Sequence, residues 1–210
     1  MLLIDIGNYS AKIWHDGKIS TKNITELDSF TSYERAYYIS VNPNFIPRNS
    51  KFIDIGDYFE FDTIYRGLGV DRVAGCYTVK NGVVVDAGSA ITVDIMLEDT
   101  HQGGFIVPGI AAQLKANEEI SKNLKIPFNS QIDLDCLPQK TNDAVTFGIV
   151  APLVYLIKDI SKSKHIYFTG GDGSFLARFF DNGIYDRNLV FRGMLKALKE
   201  RGINVNYCAS

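Results

Sequence analysis

Two short clusters place an aspartate one residue before a glycine at the end of an apolar run: Asp5-Ile6-Gly7-Asn8 and Asp86-Ala87-Gly88-Ser89. Glycine lets the backbone approach a ligand, its neighbouring N–H groups point at an anion, and Asn8 or Ser89 adds a side-chain donor. Such a turn suits phosphate. The aspartate repels phosphate, so its natural partner is a cation or that cation's water shell, held between carboxylate and phosphate. Two such turns facing one another would clamp a nucleotide triphosphate. A single Asp-x-Gly is an ordinary hairpin in most proteins, so the signal lies in the repeat.

A second chemistry is written in Gly69-Val70-Asp71-Arg72. Phosphoryl transfer to an alcohol needs a carboxylate to accept the hydroxyl proton, and cationic or N–H groups to neutralise the moving phosphoryl. Asp71 suits the first role. The planar fork of Arg72 suits an anionic part of the substrate, such as a carboxylate. On residue types alone, the pair serves equally well as a surface cap for a helix starting at Val73. A further cluster, Thr169-Gly170-Gly171-Asp172-Gly173, follows a strand and opens a helix, a position that receives adenine or ribose. No G-x-x-x-x-G-K-[ST] run and no G-x-G-x-x-G after a strand occurs, which disfavours P-loop and dinucleotide sites. His15, His101 and His165 are scattered, and Cys76, Cys136 and Cys208 form no C-x-x-C pair. The pattern supports neither a zinc cluster nor a disulfide framework, and the cysteines read as reduced packing residues.

These clusters must be positioned by the elements on either side. An apolar strand at 2–6 leads into the first turn, residues 11–14 alternate, Asp16-Gly17 marks a tight hairpin, and 18–21 continues as a strand. Strands are expected at 37–41 and 52–55, a helix at 73–79, and a turn at Asn81-Gly82. Residues 83–95 then repeat the opening grammar, with Asp86 standing 81 residues after Asp5. The second half continues with a strand stopped by Pro108-Gly109, a helix over 110–123 and a loop over 131–140. A long amphipathic helix over 142–160 carries Val145, Ile149, Leu153, Leu156 and Ile160, and a strand at 165–168, a helical turn at 175–180 and a last helix over 188–199 follow. The fold class is α/β, with two halves of similar architecture divided near Asn81.

With 22 Lys+Arg against 24 Asp+Glu the net charge is −2, and no basic stripe is present, so nucleic acid is not expected as a main partner. At 46% hydrophobic and 22% charged residues, the composition is that of a folded globule. The apolar N-terminus lacks a basic n-region, and no stretch approaches the roughly 18 apolar residues of a membrane span, so a cytosolic location without membrane partners is expected.

In order along the chain, Asp5-Ile6-Gly7-Asn8, Gly69-Val70-Asp71-Arg72, Asp86-Ala87-Gly88-Ser89 and Gly103-Gly104-Phe105-Ile106-Val107-Pro108-Gly109 resemble type III pantothenate kinase over nearly the whole chain. The resemblance implies the acetate-and-sugar-kinase/Hsp70/actin fold: two ribonuclease-H-like (actin-like ATPase) domains, each a mixed β-sheet flanked by helices, around a nucleotide cleft. Residues 1–80 would carry the first phosphate loop and the substrate loop, and residues 81–210 the second phosphate loop and the adenosine motif. It implies ATP-dependent phosphorylation of pantothenate to 4′-phosphopantothenate, the first step of coenzyme A biosynthesis, by a cytoplasmic homodimer that uses K⁺ or NH₄⁺ besides the Mg²⁺ carried with ATP.

Position by position, the resemblance assigns ATP contacts to Asp5, Ile6, Gly7, Asn8, Tyr9, Ser10, Ala11, Lys12 and Ser89. It assigns substrate contacts to Tyr65, Gly69, Val70, Asp71, Arg72 and Thr141, with Asp71 as proton acceptor, and the monovalent cation to Asp86. Tyr9 and Ser89 stand where the family usually has threonine. Ser89 keeps the hydroxyl and Tyr9 replaces it by a phenol. The alternatives are another small-molecule kinase of the same fold, a nucleotide hydrolase, or a non-catalytic nucleotide-binding regulatory protein, since relatives of this family have been named as transcription accessory factors.

Overall fold

The computed structural model describes residues 1–30, 35–47 and 50–204. They form two compact units, one of residues 1–80 with the chain from Asn188 onward, the other of residues 81–187.

The first unit opens with β1 (Leu2–Ile6), β2 (Ser10–His15) and β3 (Lys18–Asn23), followed by a 3-10 segment (Ile24–Phe30) that the sequence pattern did not announce. Asp16 and Gly17 take φ of 46° and 81°, so both central residues of the β2–β3 hairpin are left-handed, as a type I′ turn requires. β4 (Ala36–Ser40), β5 (Phe52–Asp54) and α1 (Val70–Cys76) follow. β2 runs antiparallel to β1 and β3, whereas β4 runs parallel to β1 and β5, in the order β3-β2-β1-β4-β5. Every residue of β1 is buried, because the sheet is covered on both faces. Leu2, Ile4 and Ile6 enter one cluster with Ile13, Leu27 and Tyr38, and Leu3 enters another with Trp14, Ile39 and Ile55.

The second unit contains β6 (Gly82–Ala87), β7 (Ala90–Leu97), β8 (Thr100–Pro108), α2 (Ile110–Ile120), α3 (Thr141–Ser161), β9 (Ile166–Thr169), α4 (Gly173–Ala177) and β10 (Gly183–Tyr185). Its order, β10-β9-β6-β7-β8, has the same parallel and antiparallel pairings as the first sheet. The repeated grammar is thus a repeated topology. The core joins Val83, Val85, Ile91, Val93 and Phe168 to Ile149, Val150, Leu153, Val154 and Ile157 of α3. The buried stripe of α3 therefore runs through Ile157, and Leu156, expected inside, is exposed. α3 also corrects the expectation that nothing resembles a membrane span: at 21 residues it is long and apolar enough by length and composition, but its buried face belongs to this core.

Several local expectations shift. α1 begins at Val70 rather than Val73, so Asp71 and Arg72 lie in its first turn instead of in a loop before it. β10 was not anticipated. The last helix, α5 (Leu189–Glu200), was expected with the second half but packs in the first unit, where Val190, Phe191, Met194 and Leu198 join Leu3, Ile39 and Ala74. Of the cysteines read as packing residues, Cys76 is buried, Cys136 is an exposed free thiol, and Cys208 lies outside the described residues.

Candidate active site

In the first unit, the β1–β2 turn projects from the C-terminal end of β1. Ile6 pairs with Ala11, both fully buried, and the Gly7 N–H donates to the Ser10 carbonyl at 3.0 Å. This closes the turn beneath Asn8 and Tyr9, and Tyr9 is 84% exposed. Asp5 is buried and faces Lys12 across the ladder, with Nζ 3.9 Å from Oδ2. The ammonium thus offsets the carboxylate beside a turn suited to anions.

The same sheet end carries the start of α1. The Val41 N–H donates to the Ile6 carbonyl at 3.1 Å, and Val41 Cγ1 lies 3.5 Å from where a Cβ on Gly69 would stand. Gly69 is the extended N-cap of α1, and a Cβ there would come within 2.6 Å of Asp71 Oδ1. Lacking one, Gly69 leaves room for the Asp71 carboxylate to fold over the helix start, where Oδ1 accepts the Arg72 N–H at 2.7 Å. A carboxylate in the first turn is also favoured by the helix dipole. Arg72 is buried, with its guanidinium 4.8 Å from the ring centroid of Tyr65. The structure therefore gathers Asp5–Lys12, Tyr65, Gly69, Val70, Asp71 and Arg72 within one unit, and Val41, not anticipated, links the turn to the helix.

In the second unit, three glycine motifs converge on the end of β6. Gly109 donates its N–H to the Ser89 carbonyl at 3.0 Å, and a Cβ on Gly109 would collide with the Gly88 carbonyl. Gly170, at φ +84°, packs so tightly that a Cβ would meet the Ala87 carbonyl and come 2.5 Å from Asp86 Oδ1. The Asp172 N–H donates to the Ala87 carbonyl at 2.9 Å, and burial pushes the Asp172 carboxyl up. Asp86 lies opposite Thr92, and its Oδ1 is buried without a hydrogen-bond partner. A buried carboxylate oxygen lacking a donor fits a hard cation, which would satisfy it. Among the described residues no three His, Cys, Asp or Glu side chains gather as a metal cluster; Mg²⁺ carried on substrate phosphates needs none. Thr141, exposed at the start of α3, lines an open groove of about 630 Å³ together with Gln113 and Asn117 of α2.

Sequence reasoning missed a buried polar pair. His101 Nε2 lies 2.8 Å from Asp94 Oδ1, joining β7 to β8, with exposures of 0% and 1%. Thr92 and Asp94 alternate with Ile91 and Val93 as on a half-solvated strand, so no local signal marks Asp94 as internal.

The sequence profile of type III pantothenate kinase matches residues 38–163. A type III pantothenate kinase of Campylobacter jejuni is 51% identical over 203 residues, covering 95% of this chain and 97% of that one. A crystal structure from C. jejuni, described as a candidate transcriptional activator of the Baf family, superposes with a TM-score of 0.89 at 48% identity, covering 96% of this chain and 99% of its own. A candidate 2-dehydro-3-deoxygalactonokinase from Sinorhizobium meliloti shares the fold at 8% identity, with a TM-score of 0.58 over 95% of this chain and 98% of its own. The architecture is that of the actin-like ATPases and sugar kinases, and this chain belongs to the type III pantothenate kinase family.

Proposed function

We propose that this protein transfers the γ-phosphoryl group of ATP to the primary hydroxyl of pantothenate, giving 4′-phosphopantothenate for coenzyme A synthesis. The observation that carries the reading is the placement of Asp71 and the Asp5–Lys12 turn at one end of the first sheet, beside a family assignment that names the substrate. The turn from Asp5 to Lys12 and the hydroxyl of Ser89 contact the nucleotide through N–H and O–H donors. Tyr65, Gly69, Val70, Arg72 and Thr141 hold the alcohol substrate, with Arg72 facing its carboxylate.

The hydroxyl oxygen attacks the γ-phosphorus as the bond to the β–γ bridging oxygen breaks and ADP departs. Asp71 accepts the hydroxyl proton late, since no carboxylate pre-ionises so weak an acid, and positioning dominates the rate. Asp86 would hold a K⁺ or NH₄⁺ ion, which together with Mg²⁺ supplies countercharge to the phosphates. The protein acts in the cytoplasm as a homodimer. The test is ADP release on addition of pantothenate, compared with sugars and other alcohols: stimulation by pantothenate alone supports the reading, and equal release without any acceptor marks a hydrolase.

The structure described as a transcriptional activator names another class. Duplex binding that survives physiological salt would favour that class, whereas the charge of −2 leaves no excess of cations to neutralise phosphates.

A further inference from the structure

The helix that carries Asp71 is held at its far end by residues that no step of the phosphoryl transfer uses. Tyr77, the C-cap of α1, is 8% exposed, and its hydroxyl donates to Glu200 of α5 while accepting the backbone N–H of Glu60 at 3.3 Å. Lys196 of α5 donates from Nζ to the Tyr77 carbonyl at 2.9 Å and sits 4.5 Å from the Tyr77 ring centroid. Arg201 pairs with Glu60 at 3.6 Å, and Phe59 meets the Tyr77 ring edge-on at 5.0 Å. Within α1 itself, Gly193 of α5 lies so close to Ala74 that a Cβ would collide with the Ala74 carbonyl. The segment bearing Tyr65, Asp71 and Arg72 thus departs from one point tied to α5, Glu60, and returns to another, Tyr77.

We propose that Tyr77 and Gly193 are positioning residues, through which α5 sets where Asp71 and Arg72 meet the pantothenate hydroxyl and carboxylate. The inference rests on the reading of Asp71 and Arg72 as the substrate-handling pair. The chemistry of the brace suits a fixed part. Burial, then the hydrogen bond to Glu200, pushes the Tyr77 phenol up to about 12, so its donor persists at any pH where a kinase is assayed. Gly193 removes the side chain that would force the two helices apart.

Tyr77→Phe keeps the ring and its packing and deletes only the hydroxyl. Its KM for pantothenate is expected to rise on the order of tenfold while the KM for ATP stays within about twofold, as misplacement of one substrate's contacts predicts. Gly193→Ala moves the same parameter in the same direction. Glu200→Ala reproduces the Tyr77→Phe effect, and Glu200→Gln, which retains an acceptor for the phenol, restores the pantothenate KM. An unchanged pantothenate KM in folded Tyr77→Phe, or equal losses for both substrates that merely follow the folded fraction, overturns the proposal. Asp71→Asn is measured alongside: wild-type turnover in that variant removes the underlying site reading and the brace with it. Loss of turnover there, with an unmoved Tyr77→Phe, removes the brace alone.

Discussion

In the first unit Asp5 lies opposite Lys12 across the β1–β2 ladder, and in the second Asp86 lies opposite Thr92 across β6–β7. Strand order and pairing sense are otherwise the same in the two sheets. The difference begins in the turns. Four residues separate the paired Ile6 and Ala11, whereas three separate Ala87 and Ile91, so the first turn is one residue longer and lifts Tyr9 into solvent. One aspartate is supplied with a resident ammonium at 3.9 Å, and the other keeps a buried oxygen without a donor. Of the two carboxylates, the one with the donorless oxygen is the one proposed to hold a cation from outside the chain. The lesson is that a repeated motif fixes where a carboxylate sits, while the residue across the ladder decides what that carboxylate needs.

The largest expected effect lies outside the repeat and tests what the two turns serve. Asp71→Asn should lower kcat about a thousandfold with the KM for ATP nearly unchanged, because it removes the proton acceptor and leaves the nucleotide turns intact. Asp86→Asn should lower turnover on the order of a hundredfold, with most K⁺ activation lost, whereas Asp5→Asn should leave K⁺ activation in place. Thr92→Lys sharpens the comparison further. It copies the Asp5–Lys12 arrangement into the second turn, and the ratio of rates with and without K⁺ should fall toward one.

The sheets differ also in their interior. Where the first has Trp14 opposite Leu3, the second has Asp94 opposite Val84, with Asp94 contacting His101. Breaking that contact by His101→Ala should cost about 3 kcal/mol of stability, read from urea unfolding, since a buried polar group loses a hydrogen-bond partner and a buried side chain is removed. The smallest effect concerns Tyr77. Its folded pKa of about 12 exceeds the ordinary value of 10.0, so the protonated phenol is the form that the fold favours. Its contribution is complete below pH 10 and lost as pH rises from about 10 to 12. Tyr77→Phe should accordingly lose less stability than the wild type over that alkaline interval.

Much of this architecture is legible in the sequence because its determinants are local. Asp16-Gly17 sets a type I′ turn whatever surrounds it, and the doubled Asp-x-Gly places Asp5 and Asp86 at strand ends. The clustering of Gly69–Arg72 at the first turn's sheet end is foreshadowed only as a short run ahead of the helix expected at 73–79, because the Val41 contact that joins them depends on parallel pairing of β1 with β4. Non-local features are invisible in the same way. The packing of α5 against α1 brings Gly193 to Ala74 across more than a hundred residues of chain, and β10 spans only three residues, too few to show a period. Asp94 alternates like a solvent-facing residue, and its burial follows from the second face of the sheet being covered. In α3 the apolar positions exceed one stripe, which is why Leu156 and Ile157 exchange places between expectation and structure.

The central claim is that Asp71 and the two unlike phosphate turns serve transfer from ATP to pantothenate. Mass spectrometry of the pantothenate pool after incubation with ATP, Mg²⁺ and K⁺ tests it most directly. The account predicts one added phosphoryl group per ADP released by the wild type and almost none with Asp71→Asn. ADP released without phosphorylated pantothenate, or phosphorylation undiminished in Asp71→Asn, would contradict it.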